Sequence, residues 1–170
     1  PLASVVLAPV TLALGPTVTW NLLSMLAPTL SGWTAFLLCR HITRRQWPSL
    51  AGGYVFGFSP YMLGQTVSQH LNLVQIWPFP LMALLAIRYL RGSCSPRRLV
   101  AITATLGAIV LGSSLELLAF ATAVTVLTLG VAYATAAAPR RAILRLTAWL
   151  ATAGIFVGLL ALPFAWLTLV

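Results

Sequence analysis

Long apolar runs, separated by short clusters of arginine, make up most of this chain. A helix that crosses a bilayer needs about 20 consecutive, mostly apolar residues. Runs bounded by charges or turn-forming residues cover 17–39, 50–67, 71–90, 99–138 and 142–162. The run at 99–138 is too long for one span, and the turn-forming Gly112-Ser113-Ser114 divides it into two. The pattern predicts an all-α, polytopic transmembrane bundle with about six spans.

Proline and glycine mark the irregular positions in these runs. The apolar stretch at 2–14 is short and contains a proline, so we expect a half-depth or interfacial helix that ends at Gly15-Pro16. Pro28 predicts a kink in the second run, tolerated because neighbouring helices can satisfy the freed carbonyl. Ser59-Pro60 predicts a break in the third run. The sequence Trp77-Pro78-Phe79-Pro80 makes the fourth irregular where it faces the third.

The composition excludes an ordinary soluble domain. The chain is 60% hydrophobic and 6% charged, whereas soluble domains are roughly 45–50% apolar and 25% charged. So few charges cannot cover a surface in water. The net charge of +9 is not arranged as a continuous basic patch, so we expect membrane lipids and no nucleic acid as partners. We predict one transmembrane domain over residues 1–170, as a fragment of a longer chain.

The arginines orient the predicted spans. They form three clusters, and two predicted spans separate each cluster from the next: Arg40, Arg44 and Arg45; Arg88, Arg91, Arg97 and Arg98; Arg140, Arg141 and Arg145. An even number of crossings returns the chain to the same side, so all ten arginines fall on one face. The positive-inside rule assigns that face to the cytoplasm. Cys39 and Cys94 border two of these clusters, far apart, and are predicted to be free thiols.

Most polar side chains outside the arginine clusters are predicted to lie on the opposite, external face. Glu116 is the only carboxylate in the chain. An ionisable group within a membrane segment marks a functional site, but a carboxylate at the water interface also stabilises the N-terminus of a helix. Both interpretations stay open for Glu116.

The other candidate is the polar stretch around His70. Its side chains can donate hydrogen bonds to a phosphate or to sugar hydroxyls, and an ordinary solvated loop is the alternative. Trp77 either lines a sugar or lipid site or anchors the chain at the headgroups. One histidine and one glutamate fall short of the three or four ligands of a usual zinc site, so no metal ligands are assigned. The candidate binding residues are Tyr61, Gln65, Gln69, Asn72 and Trp77.

Several short motifs resemble the bacterial, especially actinobacterial, GT-C membrane glycosyltransferases. They cover most of residues 7–120: Leu7-Ala8-Pro9-Val10-Thr11-Leu12, Trp20-Asn21-Leu22-Leu23, Gly53 to Met62, His70-Leu71-Asn72-Leu73 and Ser95-Pro96-Arg97-Arg98. The resemblance implies an enzyme of the bacterial inner membrane that moves a sugar from a polyprenyl-phosphate carrier to an acceptor on the external face. It also implies that the main catalytic acid precedes Pro1, in the first external loop.

The resemblance further bears on Glu116. Such enzymes often carry Ser-Glu-Glu where this chain has Ser114-Leu115-Glu116, so Glu116 matches the second acid and Leu115 departs from the first. The implied mechanism is displacement at the anomeric carbon, with His70 and Glu116 near the site as catalytic residues. Two other classes of function stay open: a transporter or lipid flippase, because broken helices also mark transporter sites, and a structural membrane subunit.

Overall fold

The structure is a computed structural model that describes the backbone of residues 5–135 and 140–169, and side chains up to residue 162. Within these ranges the chain is all-helical, as predicted. The helices are α1 (Ala8–Leu14), α2 (Pro16–Thr43), α3 (Gln46–Gly57), α4 (Pro60–Val67), α5 (Pro78–Leu90), α6 (Pro96–Ser113), α7 (Leu115–Thr135) and α8 (Arg140–Leu169).

Among the described residues, three helical segments are long and apolar enough to cross a membrane. They are Pro16–Thr43, Leu115–Thr135 and Arg140–Leu162. In α7 only 6% of the most apolar window is buried against the rest of the protein, so nearly all of its apolar surface needs another apolar medium. These helices are compatible with an integral membrane protein. The number of six spans stays a prediction.

Contacts between residues divide the chain into two compact units. The first comprises Pro1–Leu84 with Gly112–Ser114, and the second comprises Leu85–Leu111 with Leu115–Val170. The single transmembrane domain over residues 1–170 stays a prediction.

In the first unit, α2 and α3 form a helical hairpin in which the backbones of the two helices lie in close contact. Arg44 closes α2 in a left-handed conformation, with φ of 56°, and α3 begins two residues later. A Cβ atom at Gly53 would lie 2.6 Å from the Gly32 carbonyl oxygen, and one at Gly57 would lie 2.8 Å from the Gly32 Cα atom. Small residues permit this approach of helices in a membrane. The glycines of the third apolar run therefore serve close packing of α3 on α2.

The predicted break in the third run is confirmed between α3 and α4. Ser59 is extended, with ψ of 156°, because the ring of Pro60 disfavours a helical conformation at the preceding residue. The Ser59 hydroxyl then accepts a hydrogen bond from the Met62 amide at 3.3 Å, which caps the start of α4. With 12 residues, α3 is about 18 Å long, shorter than the ~30 Å hydrocarbon layer.

The fourth run differs from its prediction. A helix was expected through most of 71–90, but α5 begins only at Pro78, and turns occupy most of 68–77. Pro78 and Pro80 lie in the first turn of α5, where a proline needs no amide partner. Proline further inside a helix removes a hydrogen bond and clashes with the preceding turn, so no helix runs through this sequence from Leu71.

Two other predicted interruptions agree with the structure, although α2 extends beyond the predicted end at residue 39 to Thr43 and α3 begins at Gln46, before the predicted start at residue 50. Gly15, with φ of +87°, separates the seven-residue α1 from α2, as Gly15-Pro16 predicted. Pro28 lies inside α2, which continues on both sides of it. Ser114 interrupts the helix between α6 and α7, which confirms that the run at 99–138 contains two helices.

The core of the second unit joins the loop after α5 to the first turns of α6 and α8. Cys94, Leu99 and Leu146 are buried together. The Arg140 guanidinium lies over the Tyr133 ring, 5.5 Å from its centroid, so the end of α7 adjoins the start of α8. The second and third arginine clusters therefore lie at the same end of this unit.

Candidate functional site

The candidate site is built on α4 and on the loop that follows it in the first unit. Gln69 adopts a left-handed conformation, with φ of 63°, and turns the chain back toward α4. The His70 amide then donates to the Gln65 carbonyl oxygen at 2.9 Å. The His70 Nδ1 atom also lies 3.1 Å from the Gln65 Oε1 atom. Two contacts thus fix His70 on the last turn of α4.

A second tie holds the same loop further along. The Tyr61 hydroxyl donates a hydrogen bond to the Leu73 carbonyl oxygen at 3.0 Å, and the Leu73 amide donates to the His70 carbonyl oxygen at 2.9 Å. Tyr61 and Gln65 are four residues apart, so they share one face of α4. This face holds both ends of the segment 70–73, and Asn72 lies between them.

The loop has a polar exposed side and an apolar buried side. The side chains of Tyr61, Gln69, His70 and Asn72 are exposed. Beneath them the structure buries three apolar side chains: Met62, Val74 and Ile76. Burial of these residues anchors the loop, so its polar groups are presented on a supported surface.

Gln75 is a residue that the sequence analysis missed. Its side chain is only 9% exposed and lies between Val74 and Ile76 in the chain. Burial of a side-chain amide costs desolvation free energy unless the amide is hydrogen-bonded. Gln75 is therefore a further candidate residue beside the loop. A polar residue between two apolar ones is a weak signal, because this pattern also describes an ordinary surface position. Trp77 follows and is half-buried at the start of α5.

The contact with Gln65 orients the His70 ring. The His70 Nδ1 atom faces the Gln65 Oε1 atom at 3.1 Å, so the Nε2 atom lies on the opposite edge of the ring. A ring nitrogen of histidine donates or accepts a hydrogen bond according to the tautomer. The surrounding amide and phenol groups are neutral donors and acceptors, suited to sugar hydroxyls and phosphate oxygens.

Glu116 lies in the first turn of α7, two residues after the interruption at Ser114. Its side chain is exposed. A carboxylate at this place interacts favourably with the amide groups at the N-terminus of the helix, which agrees with the structural interpretation. Glu116 belongs to the second unit, and its role beside His70 stays a prediction.

Among the residues that the structure describes, no three side chains of His, Cys, Asp or Glu converge as a metal site would require. These residues assign no cofactor to the segment. Cys39 and Cys94 are both free, which confirms the prediction for these thiols.

Comparisons of this chain with protein-family models, with curated proteins and with solved structures find no match. The resemblance to GT-C glycosyltransferases therefore rests on the short motifs of the sequence.

Proposed function

We propose that this chain is part of the membrane core of a glycosyltransferase that uses a polyprenyl-phosphate sugar and acts on the external face. The strongest support is the break between α3 and α4 together with the hydrogen-bonded loop that follows α4. The break at Ser59-Pro60 ends one helix, and the hydrogen bonds of Tyr61 and Gln65 hold a polar loop directly after it. A lipid-linked sugar has an apolar isoprenoid chain and a polar sugar phosphate. Its binding site therefore needs an apolar surface for the chain next to polar groups for the sugar phosphate.

In this proposal the loop binds the donor. Tyr61, Gln65, Gln69 and Asn72 donate to or accept from sugar hydroxyls and phosphate oxygens. The half-buried Trp77 ring packs on the sugar or on the isoprenoid chain. Since its side-chain acids are limited to Glu116, this segment contributes mainly binding and positioning.

The reaction is a displacement at the anomeric carbon. A carboxylate in a loop before Pro1 takes the proton of the acceptor hydroxyl, and the acceptor oxygen bonds to the anomeric carbon. The bond from that carbon to the phosphate oxygen breaks, and the lipid phosphate leaves as an anion. His70 donates a hydrogen bond to the leaving phosphate, and Glu116 is the second candidate catalytic residue.

The proposed topology has six spans in the bacterial inner membrane, with every arginine cluster in the cytoplasm. In it α3 and α4 together form one broken span. The common end of the second and third clusters in the second unit supports this arrangement.

The test is turnover of a polyprenyl-phosphate sugar by the full-length protein in proteoliposomes. We expect His70→Ala and Glu116→Ala each to lower kcat by about 100-fold, the scale of a lost acid or base group. His41→Ala is the matched control, because His41 lies in the last turn of α2 beside Arg40, and it should retain full turnover. Unchanged turnover in both test variants would remove these residues from the site.

A transporter or lipid flippase is the second candidate, and the same break between α3 and α4 favours it. Discontinuous helices with exposed half-helix ends form substrate sites in transporters. Proteoliposomes that move a fluorescent polyprenyl-phosphate analogue between leaflets, without sugar transfer by the full-length protein, would support this function over the enzyme.

A further inference from the structure

The second unit contains a cleft that none of the functional interpretations above uses. It has a volume of about 480 Å³ and opens between the end of α5 and the start of α8. The loop after α5 forms one wall, and the first two turns of α8 form the other. The side chains that matter for its chemistry are Tyr89, Leu90, Cys94, Arg141 and Arg145.

Two arginines give the cleft its charge. Arg141 and Arg145 are four residues apart, so their side chains lie on one face of α8, and both line the cleft. The neighbouring Arg140 is directed elsewhere, over the Tyr133 ring. The first turns of a helix also carry partial positive charge from their amide groups. An anion is therefore the ligand that this wall attracts.

The chain itself supplies no side-chain carboxylate to neutralise these arginines. Its only acid is Glu116, at the start of α7, whereas Tyr133 near the end of α7 adjoins the start of α8. Tyr133 follows Glu116 by seventeen residues in α7, a rise of about 25 Å, which is beyond the range of a direct ion pair. Both arginines are exposed, and the side chains of this chain provide no carboxylate within reach to bind them.

The opposite wall indicates that this anion belongs to an amphiphile. Tyr89 and Leu90 provide apolar surface, and Cys94 connects the cleft to the buried cluster with Leu99. Arg141 and Arg145 lie near the start of the segment Arg140–Leu162, which is apolar and long enough to cross a membrane. It exposes large apolar side chains that acyl chains can cover, among them Ile155 and Leu159. A free phosphate would contact the arginines alone, whereas a phospholipid also contacts the apolar surface beside them.

We propose that this cleft binds the headgroup of an anionic phospholipid. Arg141 and Arg145 hold the phosphate through charge-assisted hydrogen bonds, and the acyl chains follow α8 into the bilayer. Basic pockets between membrane helices bind anionic headgroups in this way. The site is independent of the proposed sugar transfer, because it shares no residue with the loop around His70.

The experiment measures alkylation by a maleimide of a single exposed thiol at the cleft, introduced as Leu90→Cys in a Cys94→Ser background of the full chain, reconstituted in phosphatidylcholine vesicles with or without phosphatidylglycerol. Since Leu90 lines the cleft and is 44% exposed, bound phosphatidylglycerol should slow alkylation at this position several-fold. Cys39 of the first unit serves as the internal reference, resolved by peptide mass spectrometry.

The double variant Arg141→Gln/Arg145→Gln removes both charges from the cleft. The phosphatidylglycerol concentration that gives half-maximal protection should then rise on the order of tenfold or more, the scale for two basic residues at an anionic surface.

Two further variants separate the site from general charge. Arg97→Gln/Arg98→Gln removes the same charge from the first turn of α6, from residues that do not line the cleft, and should leave protection unchanged. Arg141→Lys/Arg145→Lys preserves charge and should retain part of it. Equal protection in the Arg141→Gln/Arg145→Gln variant and in the unmodified chain would overturn the proposal. So would equal protection by inorganic phosphate in phosphatidylcholine vesicles, since the ligand would then be the free ion.

Discussion

Gly57 of α3 lies against Pro28 of α2 so closely that a Cβ atom at Gly57 would be 2.6 Å from the Pro28 carbonyl oxygen. Pro28 interrupts the hydrogen-bond ladder of α2, because its nitrogen has no proton to donate. Gly57 is the last residue of α3 before the break. The irregular positions of the two helices are therefore side by side, and the break that precedes the His70 loop is supported by tertiary packing.

We expect Gly57→Ala to destabilise the hairpin of α2 and α3. The added methyl group meets backbone atoms of Pro28 and Gly32, which cannot rotate away, and overpacking of this kind costs about 1–3 kcal/mol. Thermal unfolding in detergent micelles measures the effect. Gly64→Ala in α4 is the control: nothing lies within 4 Å of its added Cβ atom, so the better helix propensity of alanine should stabilise slightly. Equal melting temperatures for the two variants would contradict this packing.

Tyr61→Phe should loosen the loop that carries His70. The substitution removes the hydroxyl that donates to Leu73, and a lost hydrogen bond of this kind costs about 1 kcal/mol. Hydrogen exchange of the amides in 68–77 should therefore become about fivefold faster. Tyr54→Phe is the matched control, because the Tyr54 ring stacks on Phe58 and does not contact the loop through that bond. Similar exchange in both variants would show that Tyr61 does not hold the loop.

The predicted sidedness can be tested with two single cysteines in a background of Cys39→Ser/Cys94→Ser. Ser68→Cys places a thiol at the end of α4, and Ser93→Cys places one beside the second arginine cluster; both serines are exposed. We expect a membrane-impermeant maleimide added to intact cells to label the first and not the second. After the cells are opened, both should react. Labelling of both from outside would contradict the topology and, with it, an external site at His70.

Substitutions at Glu116 and Leu115 distinguish the two interpretations of the acid. If Glu116 takes part in the reaction, Glu116→Gln lowers turnover of the full-length protein at least tenfold. The melting temperature should change by no more than about two degrees, because the side chain is exposed. Leu115→Glu, which restores the Ser-Glu-Glu pattern, should raise turnover. Normal turnover with a lowered melting temperature for Glu116→Gln would assign the residue to the helix N-terminus alone.

The ends of several helices were predictable because they depend on a few neighbouring residues. Gly15-Pro16, Ser59-Pro60 and the serines near 114 restrict the backbone locally, and the structure interrupts its helices at each of them. The all-helical class followed in the same way from the length and hydropathy of the apolar runs. These properties need no knowledge of what lies beside a helix.

Contacts between distant residues were not predictable from the same pattern. A helix that is apolar on all sides, such as α7, has no polar face that would indicate which of its sides contacts other helices. In the fourth run, hydropathy predicted a helix from residue 71, although the helix begins only at Pro78. The approach of Gly57 to Pro28, the bond from Tyr61 to Leu73 and the cleft at Arg141 all depend on which surfaces meet. Packing is determined by shape and distance in three dimensions, and a sequence of apolar residues does not specify these alone.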